Sequence, residues 1–203
     1  MTQQKLGLNI LDKNMLDLKS RLNEFEIGIS TTVVSDIEGK ICDLEKTIEN
    51  IINSLSKLKK NNLFIIGNGG SAGVASHASN DFINMCSLKS ITFHDISILT
   101  CLTNDYGYDQ AYKILIDKFC EYGDIMISIS SSGNSKNIIN ASKQFKEKFP
   151  SNLLITLSGF DKSNSLSAIG DFNFWVNSKS YGIVEIAHQF ILHNISDRLC
   201  LKK

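Results

Sequence analysis

The sequence predicts an α/β fold, a three-layer αβα sandwich around a five-stranded parallel sheet, preceded by N-terminal helices. Three observations carry this expectation. From Asn62 onward, short continuous apolar runs recur, and a run without polar alternation suits a strand buried on both faces. Between the runs lie stretches long enough for crossover helices, which makes βαβ units and a parallel sheet. Before Asn62 the apolar residues step by three and four, the period of an amphipathic helix.

Taken in order, residues 1 to about 60 read as helical. Leu11, Met15, Leu18, Leu22 and Phe25 mark one helix. Ser35-Asp36-Ile37-Glu38 has the pattern of a capping box and opens a second, with Ile37, Ile41, Leu44, Ile48, Ile51, Ile52, Leu55 and Leu58 along one face. That stripe is expected to serve packing in the core or a subunit interface. The strands follow as LFIIG, ITFHDISIL, DIMISIS, NLLITLS and FNFWV. The gaps at 71–86, 99–121 and 136–149 each hold a crossover helix, and 181–200 a terminal one. With no repeat, low-complexity segment or linker, residues 1–60 and 61–203 are expected to form one domain, the second part carrying the chemistry.

Composition narrows the function. The 203 residues hold 21 Lys plus Arg and 21 Asp plus Glu, a formal net charge of zero. No global positive field exists to hold an extended polyanion, so nucleic acid is not the expected ligand. Five scattered cysteines, Cys42, Cys86, Cys101, Cys120 and Cys200, contain no C-x-x-C pair and read as reduced thiols. The N-terminal stretch has no signal-peptide pattern, and no apolar run approaches the ~18 residues of a membrane helix. A cytoplasmic protein with no membrane partner is the expectation.

In open parallel sheets, ligands bind at the carboxyl ends of strands. Two such ends are unusual here. LFII runs into Gly67-Asn68-Gly69-Gly70-Ser71, and IMISIS into Ser131-Ser132-Gly133-Asn134-Ser135, each leading into a helical stretch. One glycine-rich turn of this sort is commonly plain turn chemistry. Two in one sheet, both bearing serine, point to a cradle in which glycine backbone amides, serine hydroxyls and helix N-termini hold one phosphate without lysine or arginine. Neither loop is a P-loop or a dinucleotide fingerprint, so no nucleotide cofactor is expected.

Three of the four histidines, His77, His188 and His193, fall on the helices flanking this cleft. His77 and Asp81, spaced i, i+4, share one helical face and suit a metal or a substrate carbon. On the last helix, Glu185 and His193 are eight residues apart, about 12 Å at ~1.5 Å per residue. Two ligands of one metal cannot be so far apart, so both positions can serve catalysis only in different copies of the site, one chain lending a residue to its neighbour. His94 reads as an ordinary packed histidine.

The stretches GNGGSAGVASHASND (67–81), LTCLTNDYGYD (99–109), GDIMISISSSGNSKNIINA (123–141), LLITLSG (153–159) and VEIAHQFILH (184–193) together resemble the sugar isomerase (SIS) domain family, within it the phosphoheptose isomerases. The resemblance spans roughly residues 35–200. It implies a flavodoxin-like SIS fold, with residues 61–203 as the phosphosugar-binding part. It implies conversion of sedoheptulose 7-phosphate to D-glycero-D-manno-heptose 7-phosphate, the first step toward nucleotide-activated heptose for lipopolysaccharide or capsule. A homotetramer with active sites between subunits and one Zn2+ per subunit come with it. Carried over by position, the substrate-binding residues are Asn68, Gly69, Gly70, Ser71, Asn104, Asp105, Ser130, Ser131, Ser132, Ser135 and Glu185. Asp81 takes the place of the family's glutamate base and His193 that of its general acid. The metal set is His77, Asp81, Glu185 and His193. On this reading Asp81 moves the proton between C1 and C2 while His193 of a neighbouring subunit serves the oxygens.

Three positions depart from the family pattern. Asp81 is one methylene shorter than glutamate, Glu185 adds a charge where an amide is usual, and Gly182 stands where relatives carry an acid. Two other readings follow from the same motifs. One is a non-catalytic SIS adaptor or sensor, of the type that associates with a replication initiator. The other is an isomerase of a different sugar phosphate.

Overall fold

The structure, a computed structural model, describes residues 17–202. The N-terminal positions Leu11 and Met15 lie outside that range. Seven helices and seven strands follow in the described chain: α1 (Leu18–Ser30), β1 (Val33–Ser35), β2 (Ile41–Cys42), α2 (Leu44–Leu55), β3 (Asn62–Ile66), α3 (Gly70–Asn84), β4 (Lys89–Ile91), α4 (Ile96–Tyr106), α5 (Tyr108–Phe119), β5 (Ile125–Ser130), α6 (Lys136–Lys148), β6 (Leu154–Ser158), β7 (Phe172–Trp175) and α7 (Tyr181–Leu201). A 3-10 turn at Leu166–Ala168 joins β6 to β7.

One sheet runs in the order β2-β1-β7-β6-β5-β3-β4. Strands β3 to β7 pair in parallel, and β1 pairs antiparallel with both β2 and β7. The sheet is therefore mixed and seven-stranded, which corrects the expectation of an all-parallel sheet of five. The extra strands lie where a helix was expected to start. Asp36 accepts hydrogen bonds from the amides of Glu38 and Lys40 at 3.0 and 2.9 Å, and Gly39 takes the left-handed conformation at φ +79°. The apparent capping box is thus a hairpin turn, and the helix begins at Leu44 under an Asp43 cap.

The apolar runs are continuous because both sheet faces are covered. Leu63, Ile65, Ile127, Ile155 and Phe174 face α2, α3 and α7. Phe64, Ile66, Met126 and Leu154 face α5 and α6. ITFHDISIL is the run that does not form the expected strand. Pairing stops at Ile91, and Asp95 accepts from the Ile98 amide at 3.0 Å, which caps α4. Gly107 at φ +83° separates α4 from α5, so two helices occupy the 99–121 gap. On α1, Leu18 and Leu22 face outward, 87% and 61% exposed. Among the described residues no helix is long and apolar enough to cross a membrane.

Candidate active site

The chain leaves β3 for β4 on one side and later enters β5 on the other. The carboxyl ends of β3 and β5 are therefore the switch point at which an open α/β sheet forms its crevice. Both glycine-serine loops emerge there. A Cβ at Gly67 would lie 2.5 Å from the Ser71 carbonyl oxygen, so only glycine lets β3 turn this tightly into α3. Gly133, at φ +65°, meets the same need after β5, where a side chain would fall on Asn164.

Between the loops is a cavity of about 270 Å³. Asn68, Gly69, Gly70, Ser71, Ser130, Ser131, Ser132, Ser135 and Glu185 line it, all of them positions the sequence pointed to. The hydroxyls of Ser71 and Ser131 lie 3.4 Å apart across the two loops, and Ser130 donates to Ser135 at 3.1 Å. Asn68 does more than line the wall. It exchanges hydrogen bonds with Asn137 at 2.8 and 2.9 Å, and Tyr108 donates to its Oδ1 at 2.7 Å. Its carbonyl oxygen is thus spent on holding the two loops together.

Tyr181 also lines the cavity and was missed by the sequence reading, as were Asn137 and Tyr108. Tyr181 opens α7 directly after β7, the same strand-to-helix position that exposed the other loops, without a glycine to mark it. Asn104 and Asp105 do not reach the cavity. They lie on α4, which buries none of its residues, and Asn104 donates to Asp105 at 2.9 Å.

The second group of side chains forms where α3 and α7 run in parallel. Ala75, Ala78 and Ala187 are buried at their contact, and such small residues let helix axes approach closely. Three contacts step along the pair: Gly70 with Glu185, Asp81 with His193, and Cys86 with Cys200. At the middle step, Asp81 Oδ2 lies 3.2 Å from His193 Nδ1 and 3.6 Å from His77 Nε2. The imidazole centroids are 5.0 Å apart.

Asp81 is buried, and its Oδ2 has no hydrogen-bond partner. A buried carboxylate oxygen without a partner is costly. The three ligand atoms lie within 4.8 Å of one another, and two imidazoles with one carboxylate are a donor set suited to a divalent transition metal. The residues fit such an ion, with His77 exposed and His193 half-exposed on the open side.

His193 was expected to come from a neighbouring subunit. It stands beside Asp81 of its own chain. The 12 Å spacing on α7 separated the right two residues, but the one that does not reach this cluster is Glu185. Its carboxyl packs over Gly70 at the cradle, and burial raises its pKa above the ordinary carboxylate range. Three of the four expected metal ligands therefore assemble within one chain.

The remaining histidines have other partners. His188 is wholly buried, with Nε2 3.1 Å from the Ser158 carbonyl. Burial lowers its pKa to about 4, which keeps it neutral and tied to the end of β6. His94 Nδ1 sits 2.8 Å from Ser76 Oγ.

The profile of the SIS domain family matches residues 29–148. This chain belongs to the SIS domain family. It is similar to the phosphoheptose isomerase of Fusobacterium nucleatum, with 32% identity over 88% of this chain and 90% of that one. Among solved structures it resembles phosphoheptose isomerase GmhA from Neisseria gonorrhoeae, with a TM-score of 0.69, 27% identity, and coverage of 77% of this chain and 85% of that one. A phosphoheptose isomerase from Francisella tularensis shares the fold, with a TM-score of 0.75 at 20% identity, over 91% and 94% of the two chains. The SIS protein described here is thus an enzyme of the sugar-phosphate isomerase kind.

Proposed function

We propose that this SIS enzyme interconverts sedoheptulose 7-phosphate and D-glycero-D-manno-heptose 7-phosphate, supplying nucleotide-activated heptose for lipopolysaccharide or capsule. The observation that carries the reading is the buried Asp81 Oδ2, without a hydrogen bond and set between two histidines, on the same helix whose N-terminus lies at the cradle.

The cradle is suited to the phosphate. Ser71, Ser131 and Ser132 offer hydroxyls, and the N-termini of α3 and α6 lie at the same crevice. A neutral set of donors holds one anion and ignores extended polyanions. The chemistry is aldose-ketose exchange, in which a base takes a proton from the carbon beside the carbonyl and an acid serves the oxygens as the enediol forms. Asp81 is the base in this assignment and His193 the acid. His77, Asp81 and His193 would hold a Zn2+ ion, which when bound supplies Lewis-acid polarisation of the substrate oxygens.

Ile186 and Phe190 on α7 are 58% and 52% exposed, between the cradle residue Glu185 and the cluster residue His193. An apolar face at this place supports a homotetramer whose subunits meet along α7 and share active sites. Asn104 and Asp105 would face substrate only once a second copy adjoins the exposed α4.

A coupled assay with sedoheptulose 7-phosphate, run before and after chelation and alongside metal analysis, tests the reaction. Product that falls on chelation and returns with Zn2+ supports it. No product under any of these conditions overturns it in favour of the adaptor reading, and turnover of a different sugar phosphate alone overturns the substrate assignment.

A further inference from the structure

We propose that Cys86 and Cys200 are a redox-closable clasp, a thiol pair that a low-molecular-weight disulfide converts into an intramolecular disulfide joining the end of α3 to the last turn of α7. Their Sγ atoms are 2.6 Å apart, against about 2.05 Å in a covalent disulfide. Closure therefore asks for a shift of well under an ångström. The two residues are 114 positions apart in sequence, so their meeting is a product of the parallel packing of α3 on α7.

The surroundings assign each sulfur a part. Cys86 is fully buried, its Sγ 3.3 Å from the Ser196 carbonyl oxygen that accepts from it. Cys200 is half-buried and is the more exposed of the two, so the first attack on an outside reagent is assigned to it. The remaining cysteines lack this arrangement. Cys42 donates to the Lys40 carbonyl and Cys101 to the Asp105 carboxylate, while burial pushes the Cys120 thiol far up and keeps it protonated.

The exchange balances in two steps. Cys200, as thiolate, attacks one sulfur of the external disulfide, forming a mixed disulfide and expelling one small thiolate, which takes up the proton that Cys200 lost. Cys86 then gives up its proton and attacks the Cys200 sulfur, expelling the second small thiol. Two protein thiols are oxidised to one disulfide, and one external disulfide is reduced to two thiols.

Closing so long a loop restricts the unfolded chain far more than the folded one. It also fixes the helix pair that carries the metal cluster, since Asp81 lies five residues before Cys86 and His193 seven before Cys200. The inference is independent of the reaction proposed above.

The test uses the full chain, freed of reductant, incubated with glutathione disulfide, alkylated and digested without reduction. The expected product is a Cys86–Cys200 linked peptide about 2 Da lighter than the sum of its parts, with a melting midpoint at least ~5 °C above that of the reduced protein. Cys200→Ser, at the half-buried position, is expected to melt within ~2 °C of the reduced parent and to show no response to the oxidant. Glutathione remaining on Cys200 without release, linkage of another cysteine pair, or a Cys86–Cys200 link that leaves the melting midpoint unmoved each overturns the proposal. Because the wild-type peptide map carries the result, failure of a Cys86 variant to fold does not affect it.

Discussion

The cradle at the ends of β3 and β5 and the His77–Asp81–His193 cluster both draw on α3 and α7 and handle charge in opposite ways. In the cradle, glycine backbone and serine hydroxyls line the cavity without one cationic side chain. In the cluster, every member is ionisable, and its buried carboxylate oxygen has no hydrogen-bond partner. Donors fixed by turns and helix ends bind one anion tightly in place and need no proton exchange. Groups that gain and lose protons or coordinate a cation must keep an open side, as the exposed His77 does. Affinity and turnover should therefore separate along α3.

The largest test of that separation is Asp81→Asn. Turnover is expected to fall at least ~100-fold, with the affinity for inorganic phosphate unchanged within about two-fold. A variant retaining a tenth of parental turnover would remove Asp81 from the base role and collapse the distinction between the regions. Next is Ser71→Ala, which takes one hydroxyl from the cradle wall. A hydrogen bond to a charged group is worth ~1.5–3 kcal/mol, so phosphate affinity and 1/KM are expected to drop at least ~10-fold while kcat stays within three-fold. An equal loss in kcat would mean the cradle also positions the reacting carbons.

The smallest effect falls on the residue that mixes the two regions. Burial raises the pKa of Glu185, so its charge is absent at low pH and appears as pH rises through that raised value, opposing an anion in the cradle. Glu185→Gln is expected to bind inorganic phosphate roughly three-fold more tightly than the parent at pH 8, with a smaller difference at pH 5. Calorimetric titration at the two pH values measures it. A gain of the same size at both would remove ionisation as the cause.

Much of this arrangement is legible before any coordinates. Four of the five apolar runs name strands because burial on both faces leaves a continuous signature, while ITFHDISIL overlaps β4 only at Ile91, and the serine-glycine loops name the cradle because close backbone approach demands glycine at Gly67. The hairpin β1–β2 was hidden because Ser35–Glu38 satisfies a capping pattern equally well, and only the left-handed Gly39 and the pairing of Val34 with Phe174 decide for a turn. The spacing of His77 and Asp81 shows along one helix. That His193 completes the cluster within the same chain depends on how α3 and α7 align, which no local pattern encodes. The pairing of Cys86 with Cys200 was invisible for the same reason.

The ends of the sheet bear on how copies of this enzyme meet. β2 closes one edge with two residues and β4 the other with three. Edges so short offer few unpaired amides and carbonyls to an incoming strand, which discourages sheet-to-sheet fibre growth between molecules. The helical flank, by contrast, leaves Leu22, Ile186 and Phe190 exposed to solvent.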